Sequence, residues 1–339
     1  MKGTGLLLGT VLAASCGGEE PLPPVVGELT VSGPYAHENL EVFLVHGPDR
    51  LPSDQRIQTL REALENETVV VHETGNVNEL AIENLSDDTA VYVQSGDVLK
   101  GGKQDRAIAV DLIVEPGSGR LPLAAFCVEE GRWRSRGLES TERFQTCNNL
   151  VATRSLKVAL KRGMGNQQSV WREVRNYQLR LVSSLGDLPG VIPSTSRTSL
   201  ELTMEGAKVR ETAARYIQAL EPIIDDKKDV VGFAFAINGK VNSADVYGSR
   251  RLFRMLWKRL LDACVAEAIA EPRGRRSLRP TEPVAVQRLL ADDGESRRKV
   301  RDVTDRIKMV SSEDSSRYVF ETLDTKHPSG WVHRSYLMK

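Results

Sequence analysis

The spacing of apolar residues changes near residue 150 of this 339-residue chain, and that change constrains the fold more than any other feature. Residues 27–128 follow strand-like patterns, and residues 106–114 alternate with the period of two that marks a half-buried strand. Residues 149–271 instead approach the 3.6-residue period of helices. We therefore expect an α+β fold, in which a mainly antiparallel β N-terminal half packs against a helical C-terminal half that contains a β-hairpin.

Shorter segments of the N-terminal half carry the same strand pattern, and one helix interrupts them. Ser53 or Asp54 is suited to cap this helix, because Ile57, Leu60 and Leu64 then fall on one apolar face. The other strand-like segments are residues 40–45, 68–72, 77–85 and 89–93.

The C-terminal half is expected to place helices around one hairpin. Asn238-Gly239 separates two apolar runs, and it suits a type I′ turn because both central residues need positive φ. The predicted helices are residues 167–185, 206–220 and 249–270. The tail is predicted to add a short helix near residues 283–293 and strand-like pieces at 306–310, 317–323 and 331–337.

The first 16 residues predict export. Lys2 precedes an apolar run at residues 5–14, which is far too short to span a bilayer as a helix, since that needs about 20 residues. Small residues then lead to Cys16, and this arrangement resembles a lipobox, in which the Cys is acylated, for example with palmitate, and becomes the first mature residue. An ordinary signal peptide with an incidental Cys is the alternative.

This N-terminus predicts an address and a division of the chain. We expect a lipid-anchored protein of the cell envelope, periplasmic or at the outer membrane, with the membrane as a partner through Cys16. The predicted parts are a signal peptide at 1–15, a tether at 16–27, a domain at 28–271, a basic linker at 272–282 and a C-terminal extension at 283–339. The change near residue 150 divides either two domains or two layers of one.

The charge balance excludes a general attraction to nucleic acid. Lys+Arg and Asp+Glu both total 46, so no net field draws the molecule to a polyanion. We expect no nucleic-acid partner, and any preference for an anion must be local.

A glycine-rich loop at residues 96–106 is the first candidate binding segment. Its glycines can present backbone N–H groups and its lysines add positive charge, as an anion site requires. It departs from the P-loop, because the glycine spacing before Lys103 is one residue too long and Gln104 replaces the Mg²⁺-binding Ser or Thr. A glycine-rich turn with solvated lysines is the alternative. The candidate ligand-binding residues are Lys100, Gly101, Gly102, Lys103, Gln104 and Arg106.

A second candidate segment, residues 127–136, combines carboxylates, arginines and a tryptophan. In an extended backbone its three arginines share one face and the Trp lies on the other. Arginine binds carboxylates and phosphates with paired hydrogen bonds, and a Trp can stack on a ring or a sugar. Glu129, Arg132 and Trp133 are therefore candidate ligand-binding residues. The alternative is that the glutamates of this segment pair with its arginines.

Known catalytic templates are not met. The five histidines have no metal-ligand spacing, so neither a metal nor a cofactor is expected. A nucleophilic Cys127 with a distant partner such as His72 stays open, because triads assemble in space. Cys127 and Cys147 are the plausible disulfide pair, and buried free thiols are the alternative to it.

Several motifs in order resemble one protein family. The most specific are Gly-Lys-Gln at 102–104 and Cys-Val-Glu-Glu-Gly-Arg-Trp at 127–133. They resemble the domain called ARG and rhodanese-phosphatase-superfamily-associated protein, or ARPP, over roughly residues 28–270. The resemblance implies no established activity. The family name records association with ADP-ribosylglycohydrolases and rhodanese-like phosphatases, which implies nucleotide-derived or phosphorylated ligands.

Three hypotheses follow for function. The first is a membrane-anchored extracytoplasmic lipoprotein whose ARPP-like domain binds an anionic or nucleotide-derived ligand through the two candidate segments. The second is an extracytoplasmic hydrolase that uses Cys127 or Glu129. The third is a structural envelope protein, which a wide separation of the two segments in the fold would favour.

Overall fold

A computed structural model describes residues 29–51, 56–151, 153–162, 166–271, 279–291, 297–327 and 330–339. The strands before residue 151 are β1 (Thr30–His37), β2 (Leu40–His46), β3 (Ile57–Thr59), β4 (Val69–Glu73), β5 (Glu79–Asn84), β6 (Ala90–Val93), β7 (Asp97–Gly101), β8 (Arg106–Ile108), β9 (Leu112–Val114), β10 (Arg120–Cys127) and β11 (Phe144–Leu150). The later strands are β12 (Val230–Ile237), β13 (Lys240–Tyr247), β14 (Arg297–Asp302), β15 (Ile307–Glu313), β16 (Arg317–Asp324) and β17 (Trp331–Met338).

Most of the helices lie between the two groups of strands. They are α1 (Leu60–Glu65), α2 (Arg154–Arg162), α3 (Gln167–Leu185), α4 (Leu188–Val191), α5 (Leu200–Met204), α6 (Ala207–Leu220), a 3₁₀ helix (Glu221–Ile224), α7 (Arg250–Ala270) and α8 (Pro283–Leu290). No helix among the described residues is long and apolar enough to cross a membrane. The predicted signal peptide, Cys16 and the tether lie outside the described residues.

The described strands form three sheets. The largest has the order β1-β2-β12-β13-β17-β16-β15-β14, and every neighbouring pair in it is antiparallel. A six-stranded sheet has the order β11-β7-β8-β10-β5-β4, and a three-stranded sheet has the order β3-β6-β9. The large sheet therefore joins strands from both ends of the described chain.

The predicted helical C-terminal half was wrong. The molecule is mostly β, with 36% strand against 31% helix among the residues described, and its C-terminal end is rich in strands. Residues 283–339, set apart above as an extension, supply α8 and strands β14–β17 of the large sheet. Strand β14 reads Arg-Arg-Lys-Val-Arg-Asp, so it carries no apolar alternation that sequence patterns could detect.

Several local predictions were confirmed, with one informative error. Helix α3 has the predicted bounds, and Asn238 and Gly239 have the positive φ values of 52° and 72° that a type I′ hairpin needs. Helix α1 is capped by Thr59, with Glu62 completing a capping box, whereas Ser53 and Asp54 lie outside the described residues. The predicted strand at 106–114 is split into β8 and β9, which join different sheets and are buried on both faces.

Candidate functional site

The two candidate segments meet in the fold. The first forms the turn between β7 and β8, and the second is an irregular loop that follows β10. Gln104 Nε2 donates to the Glu129 carbonyl at 2.7 Å, and the Asp105 N–H donates to Glu129 Oε2 at 3.1 Å. Arg132 Nη1 donates to the Gly102 carbonyl at 3.0 Å. The wide separation that would favour a structural protein is therefore not observed.

The turn needs its glycines. Gly101 and Gly102 have φ values of 116° and 59°, which favour glycine. A Cβ atom on Gly102 would also lie 2.6 Å from a ring carbon of Phe144 in β11. The glycines thus serve backbone conformation and close packing, and this packing presses the turn onto the sheet.

Beneath the turn lies a buried ion network of Asp105, Glu129, Arg132 and Arg136, called the Asp105 cluster below. Both carboxylate side chains are 0% exposed, and Arg132 donates from Nε to Glu129 Oε2 at 2.6 Å. Arg136 binds both oxygens of Asp105, at 2.9 and 3.0 Å. Burial opposes the charge of Arg136, but hydrogen bonds and charge from Asp105 outweigh it and raise its pKa. Asp105 and Glu129, together with Glu139 at 3.0 Å from Arg136 Nη2, thus neutralise the two guanidinium groups.

A second loop closes the Asp105 cluster, and the sequence patterns did not reveal it. Ser196 Oγ donates to Glu129 Oε1 at 2.5 Å, and Ser199 Oγ donates to Asp105 Oδ2 at 2.7 Å. Ser199 is also the N-cap of α5. Hydroxyl groups in a polar loop carry no distinguishing pattern, so nothing in the sequence connects them with partners that lie 67 and 94 positions earlier.

Two side chains of the site face outward: Lys103 and Trp133, called the Trp133 platform below. Trp133 is 46% exposed, and the Lys103 ammonium lies 5.2 Å from the centre of its ring. Arg106 is fully buried, its guanidinium carbon lies 5.8 Å from the centre of the ring, and it donates to Glu73 at 2.9 Å and to the Val77 carbonyl at 2.5 Å. This arrangement offers an aromatic face beside a positive charge.

Lys100 is directed elsewhere. Its ammonium donates to both carboxylate oxygens of Glu205, at 2.6 and 2.8 Å, at the C-terminal end of α5. It therefore ties the β7 strand to the helices and does not extend the Trp133 platform.

The geometry does not favour Cys127 or Glu129 as a catalytic group. Burial raises the pKa of the Cys127 thiol to about 11, with only partial opposition from the Arg106 charge, so the thiolate form is disfavoured at neutral pH. His72 pairs with Ala81, and Ala81 pairs with Pro122 of β10. Cys127 lies five residues beyond Pro122 on the same strand, roughly 16 Å from it at strand spacing, so His72 and Cys127 are far apart. Both oxygens of Glu129 already accept hydrogen bonds within the Asp105 cluster.

The three described cysteines are free and buried, so the predicted Cys127–Cys147 disulfide is not formed. Among the described residues no group of His, Cys, Asp and Glu side chains could hold a metal ion.

A second buried charge network, called the His333 cluster below, was not predicted. His333 contacts Asp111 Oδ2 through Nδ1 at 2.9 Å and Asp245 Oδ1 through Nε2 at 3.1 Å. Lys157 donates to the other oxygen of Asp245 at 3.2 Å. Burial alone would lower the pKa of His333, but the two carboxylates reverse this and raise it. Its residues come from four separate parts of the chain, so no local motif reveals it.

Comparison with known families identifies one match. The family model described as ARPP-1, ARG and Rhodanese-Phosphatase-superfamily-associated Protein domain, matches residues 28–337. The match includes both candidate segments, the His333 cluster and the C-terminal strands. No curated protein and no solved structure matches the chain.

Proposed function

The chain belongs to the ARPP-1 family, and from that premise we propose that it is a ligand-binding protein that takes a planar, anionic compound on the Trp133 platform. A nucleotide-derived ligand has this chemistry, since it joins an aromatic base to a phosphate. The base would stack on Trp133 and the phosphate would pair with Lys103.

One observation carries the proposal: a half-exposed tryptophan stands beside a lysine over a fully buried ion network. Trp133 is 46% exposed, whereas Asp105 and Glu129 are 0% exposed. An aromatic side chain in this position can contribute about 1–3 kcal/mol by stacking on a base. A nearby ammonium adds attraction for the phosphate, and its distance of 5.2 Å from the ring places both groups within one small ligand.

The Asp105 cluster supports the proposal because it fixes the positions of the backbone segments around it. Buried ion networks are often no more stable than apolar packing, so their contribution is frequently a fixed geometry. Arg132 Nη1 donates to the Gly102 carbonyl at 3.0 Å and to the Arg134 carbonyl at 2.7 Å. It thus holds the backbone next to Trp133 against the glycine turn that carries Lys103. Such a supporting network pre-organises the two contact groups.

The sequence-derived candidates therefore divide into two roles in this proposal. Lys103 and Trp133 contact the ligand, and the buried Arg106 packs near the tryptophan ring. The positioning residues are Gly101, Gly102, Gln104, Glu129 and Arg132. Lys100 has neither role, because it pairs with Glu205.

Calorimetric titration with adenosine 5′-monophosphate tests the stacking role. We expect Trp133→Ala to weaken binding at least about tenfold, the equivalent of about 1.4 kcal/mol. The matched control is Leu138→Ala, since Leu138 is a fully exposed apolar residue of the same loop. Ribose 5-phosphate, which lacks the base, should bind weakly to the wild type. Equal affinity of the wild type and Trp133→Ala for adenosine monophosphate would refute the proposal.

The charge role is tested in the same titration. Lys103→Ala should weaken binding a few-fold, and the difference from wild type should shrink at high salt, because the ammonium is partly exposed to solvent. Arg172→Ala is the control, since it removes a mostly exposed positive charge from α3. An equal effect of both substitutions would assign the binding to overall charge and not to the platform.

The cellular address is a separate part of the proposal. We propose that the domain is carried at the cell envelope by a lipid on Cys16, supported by the apolar run and small residues before it. Labelling with radioactive palmitate should mark the wild type and spare Cys16→Ser. Label that persists in Cys16→Ser would contradict the anchor without affecting the binding proposal.

A further inference from the structure

A cleft of about 750 Å³ lies between the C-terminal end of α2 and one face of strands β14–β16. It shares no lining residue with the Trp133 platform. Its lining consists of cations, hydroxyl groups and aromatic rings: Lys161, Arg162, Lys299, Arg301, Ser311, Ser312, Tyr318 and Phe320, together with Val300, Met309 and Glu313.

The register of the sheet brings part of this lining together. Lys299 pairs with Ser311, and Ser311 pairs with Phe320, so the three side chains form a row across one face of the sheet. Arg301 lies two residues after Lys299 and therefore on the same face. The last turn of α2 adds Lys161 and Arg162 from above.

The charges of the cleft are unbalanced. Among the described residues, four cationic side chains and one carboxylate, that of Glu313, line it. That carboxylate is already shared, because Arg162 lies 3.0 Å from one of its oxygens and Lys339 lies 2.9 Å from the other. The lining therefore carries a local excess of positive charge in a molecule whose overall charge is balanced.

Lys161 is the most informative member. Its side chain is only 7% exposed, its ammonium lies 5.2 Å over the Phe320 ring, and no described residue accepts a hydrogen bond from it. Asp111, whose charge interacts with Lys161, is already bound to His333 and Thr322. The Lys161 ammonium retains contact with solvent, so it is accessible to an anion that enters the cleft.

The aromatic rings hold the cations in place. The Arg162 guanidinium lies 4.7 Å over the Tyr318 ring, in the same manner as Lys161 over Phe320. The last-turn position of these two residues also suits the dipole of α2, and charge on β14 suits an edge strand. The helix dipole explains the two cations of α2, and the edge position explains the two cations of β14. Neither effect explains why all four line one cavity.

We propose that this cleft is a second binding site, which takes the phosphate or diphosphate group of a small phosphorylated compound. Two guanidinium and two ammonium groups from two sides match an anion with several oxygen acceptors. Ser311 and Ser312 add hydroxyl donors. A carboxylate offers fewer acceptors and less charge, so it fits this lining less well.

Calorimetric titration of the full chain with pyrophosphate tests the site. We expect Lys299→Glu, at an exposed position, to weaken pyrophosphate binding at least about tenfold. Lys308→Glu makes the same charge change on β15, next to Met309 but on the opposite face of the strand, and should leave the affinity within about twofold of wild type. Lys161→Met should abolish binding. If that variant does not fold, Lys299→Glu alone decides.

Three results would overturn the proposal. One is the absence of pyrophosphate binding to the wild type, and another is an equal loss in Lys299→Glu and Lys308→Glu, which would indicate attraction by overall charge. The third is citrate binding as tightly as pyrophosphate, which would refute the phosphate assignment. At least about tenfold weaker citrate binding supports it.

Discussion

The Asp105 cluster and the His333 cluster are both buried ion networks, yet they differ in what they reach. The Asp105 cluster lies directly under the Trp133 platform, with an exposed aromatic residue on the same loop as three of its members. The His333 cluster is interior, where it joins strands β13 and β17 to helix α2 and to the segment between β8 and β9. Burial of charge alone therefore does not identify a functional site. The solvent-exposed side chains nearest to the buried charges identify it.

The two clusters also differ in chemistry. The cations of the Asp105 cluster are arginines, which stay charged at any pH that the fold tolerates. The His333 cluster depends on a histidine, whose charge is lost as the pH rises through its raised pKa. Stability experiments can therefore separate the two clusters by pH as well as by substitution.

The largest expected effect comes from breaking the Asp105 cluster. Asp105→Ala removes the fully buried carboxylate shared by Arg132 and Arg136 and leaves these arginines with Glu129 and the less buried Glu139. It should lower the free energy of unfolding by about 3–5 kcal/mol. Urea unfolding measures it, with the exposed Asp87→Ala as the control, expected within about 0.5 kcal/mol of wild type. A loss below about 1 kcal/mol for Asp105→Ala would show that the cluster does not hold the loop.

The next prediction tests how the contributions of the two clusters to stability differ in their dependence on pH. The raised pKa of His333 means that its contribution is fully present below its unfolded pKa of about 6.5 and is lost as the pH rises through the folded value. The lowered pKa values of Asp111 and Asp245 contribute above about pH 4 and are lost as the pH falls. The His333 cluster is therefore most stabilising between about pH 4 and 6.5.

His333→Gln should thus destabilise the protein by about 2–3 kcal/mol near pH 6 and by less at alkaline pH. Urea unfolding at several pH values measures whether the free energies of unfolding of His333→Gln and wild type converge as the pH rises. Asp105→Ala serves as the comparison, since its loss in free energy of unfolding relative to wild type should not shrink above pH 6. Parallel pH curves for His333→Gln and wild type would contradict a charged His333.

A smaller effect tests the glycine turn that carries Lys103. Gly102→Ala should cost about 2 kcal/mol, because the residue has φ 59° and its new Cβ would meet Phe144. Gly119→Ala is the matched control: φ is 63° there, but nothing lies within 4 Å, so only the backbone penalty of about 1 kcal/mol applies. Thermal unfolding of both variants gives the difference. Equal losses would mean that the turn is not held against β11.

The sequence predicted the local parts of this fold better than their assembly. The Asn-Gly hairpin and helix α3 follow from turn chemistry and apolar spacing over short windows, and both are present. Strands β15, β16 and β17 of the tail fall at predicted strand-like pieces, whereas β14 was missed because its mostly charged residues show no period of two. Pairing across the large sheet joins residues about 200 positions apart, which no local pattern encodes.

The candidate site shows the same limit. Two motifs were recognised, and they contact each other. The alternative interpretation of the second segment, in which its glutamates pair with its arginines, holds for Glu129, whereas Glu130 pairs with Arg175 of α3. The serines that close the cluster and the whole His333 cluster were missed, because their members are close only in three dimensions. Trp133 was predicted as a contact residue, and its exposure is consistent with that prediction, which binding experiments have still to test.

The smallest expected effect on stability belongs to the residue with the largest expected effect on binding. Trp133→Ala should change the free energy of unfolding by no more than about 1 kcal/mol, because the side chain is half exposed. The most direct test of our account is therefore the affinity of folded Trp133→Ala for adenosine 5′-monophosphate, measured by calorimetry. We predict a loss of at least about tenfold against wild type. Unchanged affinity would contradict the assignment of the Trp133 platform as the ligand site.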